Sequence, residues 1–215
     1  MKNKLISITI ILLAAIMLSS CASKDKPPRE RSETFIADIN SFSVDTFHLY
    51  AGLNVGKPKI YDFDVTFAPK NNYVYIKTRI GVDVIRIGFS YEDRVLINEA
   101  VQQYLEDYKN GTIPRAKPTK KNAYNKGTLL LEWGGAGLAH KVVASFLTNA
   151  EFLEPSKPYF RLLLNATEEN GREQIYSPKT YIYISPSQWQ AIYDACNQEH
   201  LVDMTDEILA EANAF

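Results

Sequence analysis

The stretch KIYDFDVTFAPKNNYVYIKTRIGVDVIRIGF, residues 59–89, reads as three strands joined by two turns. Tyr61, Phe63, Val65 and Phe67 share one face of the first strand, and Ile60, Asp62, Asp64 and Thr66 share the other. A period of two with one polar face is the mark of a half-buried strand. Pro69 presets a turn, and Asn71 and Asn72 tolerate the left-handed backbone conformation that a tight turn needs. YVYIKTRI alternates again, residues 81–83 supply a second turn, and VIRIGF makes the third strand of an antiparallel meander.

Immediately afterwards the period changes. Ser90, with Asp93 three residues on, fits a capping box in which Asp replaces Glu. Tyr91, Val95, Ala100, Tyr104 and Tyr108 recur at helical spacing, and Gly111 follows as a stop. The pattern predicts a helix over 90–110 with one apolar face to bury. Residues 112–127 hold two prolines and the basic residues Arg115, Lys117, Lys120, Lys121 and Lys126, and read as a loop. TLLLEW, 128–133, reads as a strand buried on both faces, broken by Gly134, Gly135 and Gly137. Residues 140–147 read as strand because Val142, Val143 and Phe146 favour it. Residues 159–166 and TYIYIS, 180–185, add further strands, with Asn170-Gly171 as a hairpin turn.

Ser185, Pro186 and Gln188 open a second helix, with Trp189, Ile192, Tyr193 and Cys196 on its inner face. Thr205, Glu207 and Ile208 read as the start of a last short helix. Upstream, residues 35–54 read as irregular or partly helical, with a short strand near 46–50. The segments IRIGFSYEDRVLINEA and IYISPSQWQAIYDA echo each other, each running from strand through a serine cap into an amphipathic helix. The expectation is one α+β domain over residues 35–215. It has a mainly antiparallel, curved sheet of about seven strands and two or three helices packed on one side.

The amino terminus has a different character. Lys2 and Lys4 precede an apolar run from Leu5 to Leu18, interrupted only by Ser7 and Thr9. This is the layout of a secretory signal. The run is shorter than the roughly 20 residues that a spanning helix needs. It stops at Leu18-Ser19-Ser20-Cys21, which closely resembles the lipobox of bacterial lipoproteins. The resemblance implies that residues 1–20 are a signal peptide cut between Ser20 and Cys21. It also implies that the Cys21 thiol carries a diacylglycerol and that the freed amine is acylated with a fatty acid such as palmitate. One acyl chain gives only marginal membrane binding, whereas two or three hold firmly. Ala22 in place of Asp suggests the outer membrane, facing the periplasm. Residues 21–34 then form the lipidated N-terminus and a flexible linker, charged and containing Pro27-Pro28. At about 3.1 Å per residue the linker reaches roughly 40 Å, enough to stand the domain off the headgroups.

Removing the first 20 of 215 residues leaves 195, which suits one domain with a real core. The formal charge of −1 becomes −3 once Lys2 and Lys4 leave. No concentrated basic face points to nucleic acid. With Cys21 acylated, Cys196 has no partner for an intramolecular disulfide and reads as a small buried hydrophobe.

No catalytic, cofactor or metal residues are assigned. The glycines at 134, 135 and 137 match neither phosphate-binding pattern. His48, His140 and His200 lack metal-ligand spacing, and no G-x-S-x-G elbow is present. Asp62 and Asp64 share a strand face, the basic loop 115–126 is a solvated loop, and Tyr73 with Tyr75 form a candidate aromatic stripe. The leading expectation is a lipid-anchored envelope protein, a non-catalytic binding or structural module. Its partners are the membrane through its anchor and a protein or envelope polymer. One alternative is an envelope hydrolase near His140, which needs Ser, His and Asp or Glu in one cleft. The other is a lipid-handling or membrane-interacting protein, which needs a dry cavity between sheet and helices or an exposed apolar helix face.

Overall fold

The alternation in residues 59–89 extends around a closed wall. The structure, a computed structural model, describes residues 33–54, 56–135 and 140–214. Its strands are β1 (Phe42–Leu53), β2 (Lys59–Ala68), β3 (Tyr73–Ile80), β4 (Asp83–Phe89), β5 (Asn125–Gly134), β6 (His140–Glu154), β7 (Lys157–Leu164) and β8 (Thr180–Ile184). Helix α1 (Tyr91–Asn110) follows β4, and α2 (Pro186–Cys196) and α3 (Gln198–Asn213) follow β8. Each strand pairs antiparallel with the next, and β8 pairs with β1, so the sheet closes into an eight-stranded barrel. The antiparallel sheet and the helices agree with expectation. The open sheet of about seven strands with helices on one side is corrected.

Two features hid the closure. β1 is longer than its apolar pattern suggests, because a bulge between Ser43 and Asp45 breaks the alternation where Asp45 and Thr46 face solvent. Its far end, Tyr50–Leu53, pairs with β8. In addition, TLLLEW is not buried on both faces. Leu129, Leu131 and Trp133 are buried, while Leu130 lies half-exposed on the outside.

Register carries the inner face around the wall. Val65, Ile76, Ile87, Leu131 and Val142 are cross-strand neighbours over five strands. Ala51, Ile182, Leu162 and Thr148 continue the interior over four. The adjacent outer row is charged: Asp64, Lys77, Arg86, Glu132 and Lys141 stand side by side, with Arg86 ion-paired to Glu132. An apolar inside and a charged outside are the reverse of a lipid-facing barrel. Among the described residues no helix is long and apolar enough to cross a membrane.

Because all neighbours are antiparallel, the starts of odd strands and the ends of even strands share one rim. α1 leaves that rim from β4, and α2 and α3 leave it from β8. All three helices therefore gather at one mouth. Both β–Ser–helix junctions carry reciprocal capping boxes, Ser90 with Asp93 and Ser185 with Gln188. Gly111 ends α1 in the left-handed conformation at φ 68°. Tyr104 of α1 is fully buried and donates to the Pro158 carbonyl at 3.0 Å, fixing α1 across the starts of β5 and β7. α3 is longer than expected. It begins under an Asn197 cap, and Thr205 lies in its interior, its hydroxyl donating back to the Leu201 carbonyl at 2.7 Å. The opposite rim carries turns and the 165–179 connection, with Asn170-Gly171 near its tip and Ile175 packed on the core.

Candidate functional site

Eight strands enclose just enough room to be filled by side chains or to hold one small ligand. Here both happen, at different depths. Toward the far rim Ile85, Leu131 and Trp133 fill the lumen. Toward the helical rim a cavity of about 270 Å³ remains. Its floor comes from the strands and is wholly apolar, with Leu49, Phe63, Val65, Ile76, Leu162 and Ile182 among its side chains. Its roof comes from the helices and holds all its polar groups: Tyr91, Arg94 and Asn98 of α1, Trp189, Tyr193 and Cys196 of α2, and Asn197 and Gln198 where α3 begins. Tyr91, Arg94, Val95 and Asn98 are spaced to share one helical face. Val95 and Tyr193 are both exposed, at 43% and 40%, so the cavity reaches solvent along the seam between α1 and α2.

Arg94 is half-buried in this roof. It donates to the Asn72 carbonyl at 3.0 Å, to Asn72 Oδ1 at 2.9 Å and to Gln198 Oε1. Every one of these acceptors is neutral. Burial pulls the guanidinium down to about 10. Asp93, its sequence neighbour, is committed to the Ser90 N–H at 2.9 Å as part of the cap. Asn72 is fully buried and adopts φ 54°, as its turn position allows. It also donates to the Glu33 carbonyl, so the chain enters the domain beside Arg94. Trp189 is 8% exposed, and its indole N–H has no acceptor among the described residues. Burial pushes the Cys196 thiol up to about 12, against the opposing effect of Arg94. Cys196, read from sequence as a small buried hydrophobe, is only partly buried and lines a cavity rather than a filled core.

His140 sits at the other rim. Its ring stacks on Trp133 with centroids 5.1 Å apart, and Nδ1 lies 2.9 Å from Glu169 Oε2. Arg172 approaches the same carboxylate at 3.6 Å. The His140 hydrogen bond, followed by the Lys141 backbone N–H, holds the Glu169 carboxyl below its usual range. Among the described residues no serine or cysteine side chain bonds to His140. The geometry there is a stacked histidine hydrogen-bonded to a carboxylate, with no nucleophile side chain bonded to it among the described residues. Residues 136–139, including Gly137 of the glycine cluster, lie outside the described residues, as do Ser20 and Cys21.

The other singled-out residues scatter. Asp62 pairs with His48 at 2.6 Å, and Asp64 accepts from Thr46 at 3.1 Å, so the two carboxylates serve separate neighbours. Arg115 lies over the Phe152 ring and donates to the Pro155 carbonyl. Tyr73 and Tyr75 do stand together on the outer wall, their rings stacked 5.7 Å apart. They flank Gly88 in a groove that continues to Leu130 and Val143. A Cβ at Gly88 would lie 2.9 Å from the Tyr75 ring, so glycine is what lets the tyrosines lie down. Among the described residues no cluster of three or more His, Cys, Asp or Glu could hold a metal.

Sequence reasoning found the inward face of α2 but not Arg94. The available signal was an arginine one turn after Tyr91, on the face that the apolar pattern assigned to burial.

An antiparallel barrel roofed by three helices, with an apolar cavity under a polar roof, defines the class of protein. The chain belongs to the family described as "Uncharacterised Treponema protein", whose model matches residues 29–203. A relative from Treponema pallidum (strain Nichols), described as "Uncharacterized protein", is 24% identical over 206 residues, covering 96% of this chain and 70% of its own length. No solved structure matches the chain.

Proposed function

We propose that the protein is a lipid-anchored, non-catalytic binding module of the bacterial envelope, most of it in the periplasm and tethered to the outer membrane through Cys21. It holds an apolar small molecule in the cavity beneath its helices. The single observation that carries the binding reading is that cavity, whose strand floor presents no polar atom donor or acceptor from a side chain. Small-molecule sites are concave and mostly apolar, with a few convergent polar groups and volumes of about 300–1,000 Å³. At about 270 Å³ this one lies near the lower end and suits one slender chain rather than a two-chain lipid.

The lipobox supports the anchoring. Glu33, whose carbonyl accepts from Asn72, lies at the helical rim, the same end as the α1–α2 seam. A molecule taken from or passed to a bilayer would travel through that end. The His140 cluster does not carry the hydrolase reading, because among the described residues no serine or cysteine side chain bonds to His140.

Two measurements test the proposal. Cys21→Ser should abolish palmitate incorporation and release the protein from envelope fractions; retention with no fatty chains on the wild type would refute the anchor. The mature chain carrying Cys21→Ser, which needs no detergent, should bind the neutral probe N-phenyl-1-naphthylamine one to one and quench Trp189. Absence of saturable binding would refute the cavity reading.

A further inference from the structure

We infer that the ligand is a single-chain amphiphile with an anionic oxyacid head group, held by Arg94 while its chain occupies the barrel floor. This rests on the cavity reading and adds the polarity of the occupant.

Three observations converge. The floor asks only for hydrocarbon. The roof holds a half-buried guanidinium whose hydrogen-bond acceptors are the Asn72 and Phe89 carbonyls and the Asn72 and Gln198 side-chain amides. A desolvated cation whose hydrogen-bond acceptors are all neutral, and on which Glu92 and Asp93 act only through space, lacks the compensation that a directly paired anion gives. Both terminal nitrogens of Arg94 already donate twice, Nη1 to the Asn72 and Phe89 carbonyls and Nη2 to Asn72 Oδ1 and Gln198 Oε1, so the oxygens of an acid group would take the place of some of these neutral acceptors in the guanidinium fork. The Trp189 N–H, buried beside the same space, is a second donor lacking an acceptor. The first turn of α1 and the first residues of α3 both line the roof, and the partial positive charge of each helix start is opposed by acidic side chains in the same turns, Glu92 and Asp93 in α1 and Glu199 in α3, so the case rests on Arg94 and Trp189. A quaternary ammonium head offers no acceptor to either donor, and a neutral hydroxyl can accept a hydrogen bond but brings no charge to the guanidinium.

The test uses the Cys21→Ser mature chain and four twelve-carbon probes: dodecanoate, dodecyl phosphate, dodecanol and dodecyltrimethylammonium, all below their micelle concentrations. Affinity is read by Trp189 quenching and by protection of Cys196, its single thiol, from a maleimide. The expected result is that at least one oxyacid binds about ten- to hundredfold tighter than dodecanol, the scale of one charge-assisted hydrogen bond. The cation should bind weakest. The ratio of dodecanoate to dodecyl phosphate separates a carboxylate ligand from a phosphate monoester. Arg94→Gln should erase the preference while leaving dodecanol affinity within about twofold, and Arg94→Lys should keep part of it. Should Arg94→Gln fail to fold, the wild-type ranking decides alone. Equal binding of all four probes, or preference for the cation, overturns the head-group assignment and leaves the cavity reading standing. Failure of every probe, N-phenyl-1-naphthylamine included, overturns both.

Discussion

The two ends of the barrel are built from the same alternating strands and differ in what fills them. At the far rim Trp133 enters the lumen and stacks on His140, which Glu169 holds in place. At the helical rim the strands present side chains of similar size, yet three helices roof a void instead of filling it. The difference teaches that an apolar inner face does not by itself say whether it meets protein or ligand. That is decided by what comes to cover it, and here the cover is polar.

The largest test of this contrast is Trp133→Ala. Removing a ring from the filled end should cost about 3–5 kcal/mol in urea unfolding. A loss below about 1 kcal/mol would mean that the far rim is not packed as described. Next, Val65 and Val142 lie in one cross-strand row but on opposite sides of the cavity boundary. Val142→Phe should overpack and cost about 1–3 kcal/mol, whereas Val65→Phe should grow into space, staying within about 1 kcal/mol of wild type while blocking the neutral probe. Equal destabilisation of the two variants would erase the distinction.

The roof can be loosened separately. Ser90→Ala and Ser185→Ala each remove a reciprocal cap and should cost about 1 kcal/mol. Accelerated Cys196 labelling should accompany that loss, because both helices line the seam. Unchanged labelling would show that the roof does not open there.

The smallest effect concerns acid. Glu169 is held below its unfolded value, so its contribution is present above about pH 4.3 and fades as pH falls toward the lower folded value. Glu169→Gln should flatten the stability profile in that acid window and leave probe affinity at neutral pH unchanged. An unchanged profile would break the proposed coupling of His140 to the rim.

Much of the wall was legible because period-two patterning reports directly on a sheet face. The serine caps were equally readable, since a capping box is local. Closure was not legible. It depends on Tyr50–Leu53 meeting Thr180–Tyr183, residues far apart in sequence, and on a bulge that interrupts the pattern of β1. The cavity was legible only as one of several possibilities. Trp189, Ile192 and Cys196 read as inward-facing, but no local pattern distinguishes a core from a chamber. Arg94 was hidden for a related reason: a charged residue on a helix is ordinarily solvated, and its burial depends on Asn72 and Gln198 arriving from other parts of the chain. Thr205 misled because threonine favours helix starts, whereas here its hydroxyl is satisfied by the preceding turn.

The pairing of β8 with β1 also constrains how neighbours can attach. Open sheets recruit partners by offering unpaired backbone to an incoming strand. In this wall every strand has a strand neighbour on both sides, but β8 covers β1 only over Tyr50–Leu53; just beyond, the His48 carbonyl accepts from Gln188 at 2.7 Å. An incoming strand would therefore meet closed wall except along the start of β1. Elsewhere recognition has to run through side chains, on the wall or through the roof.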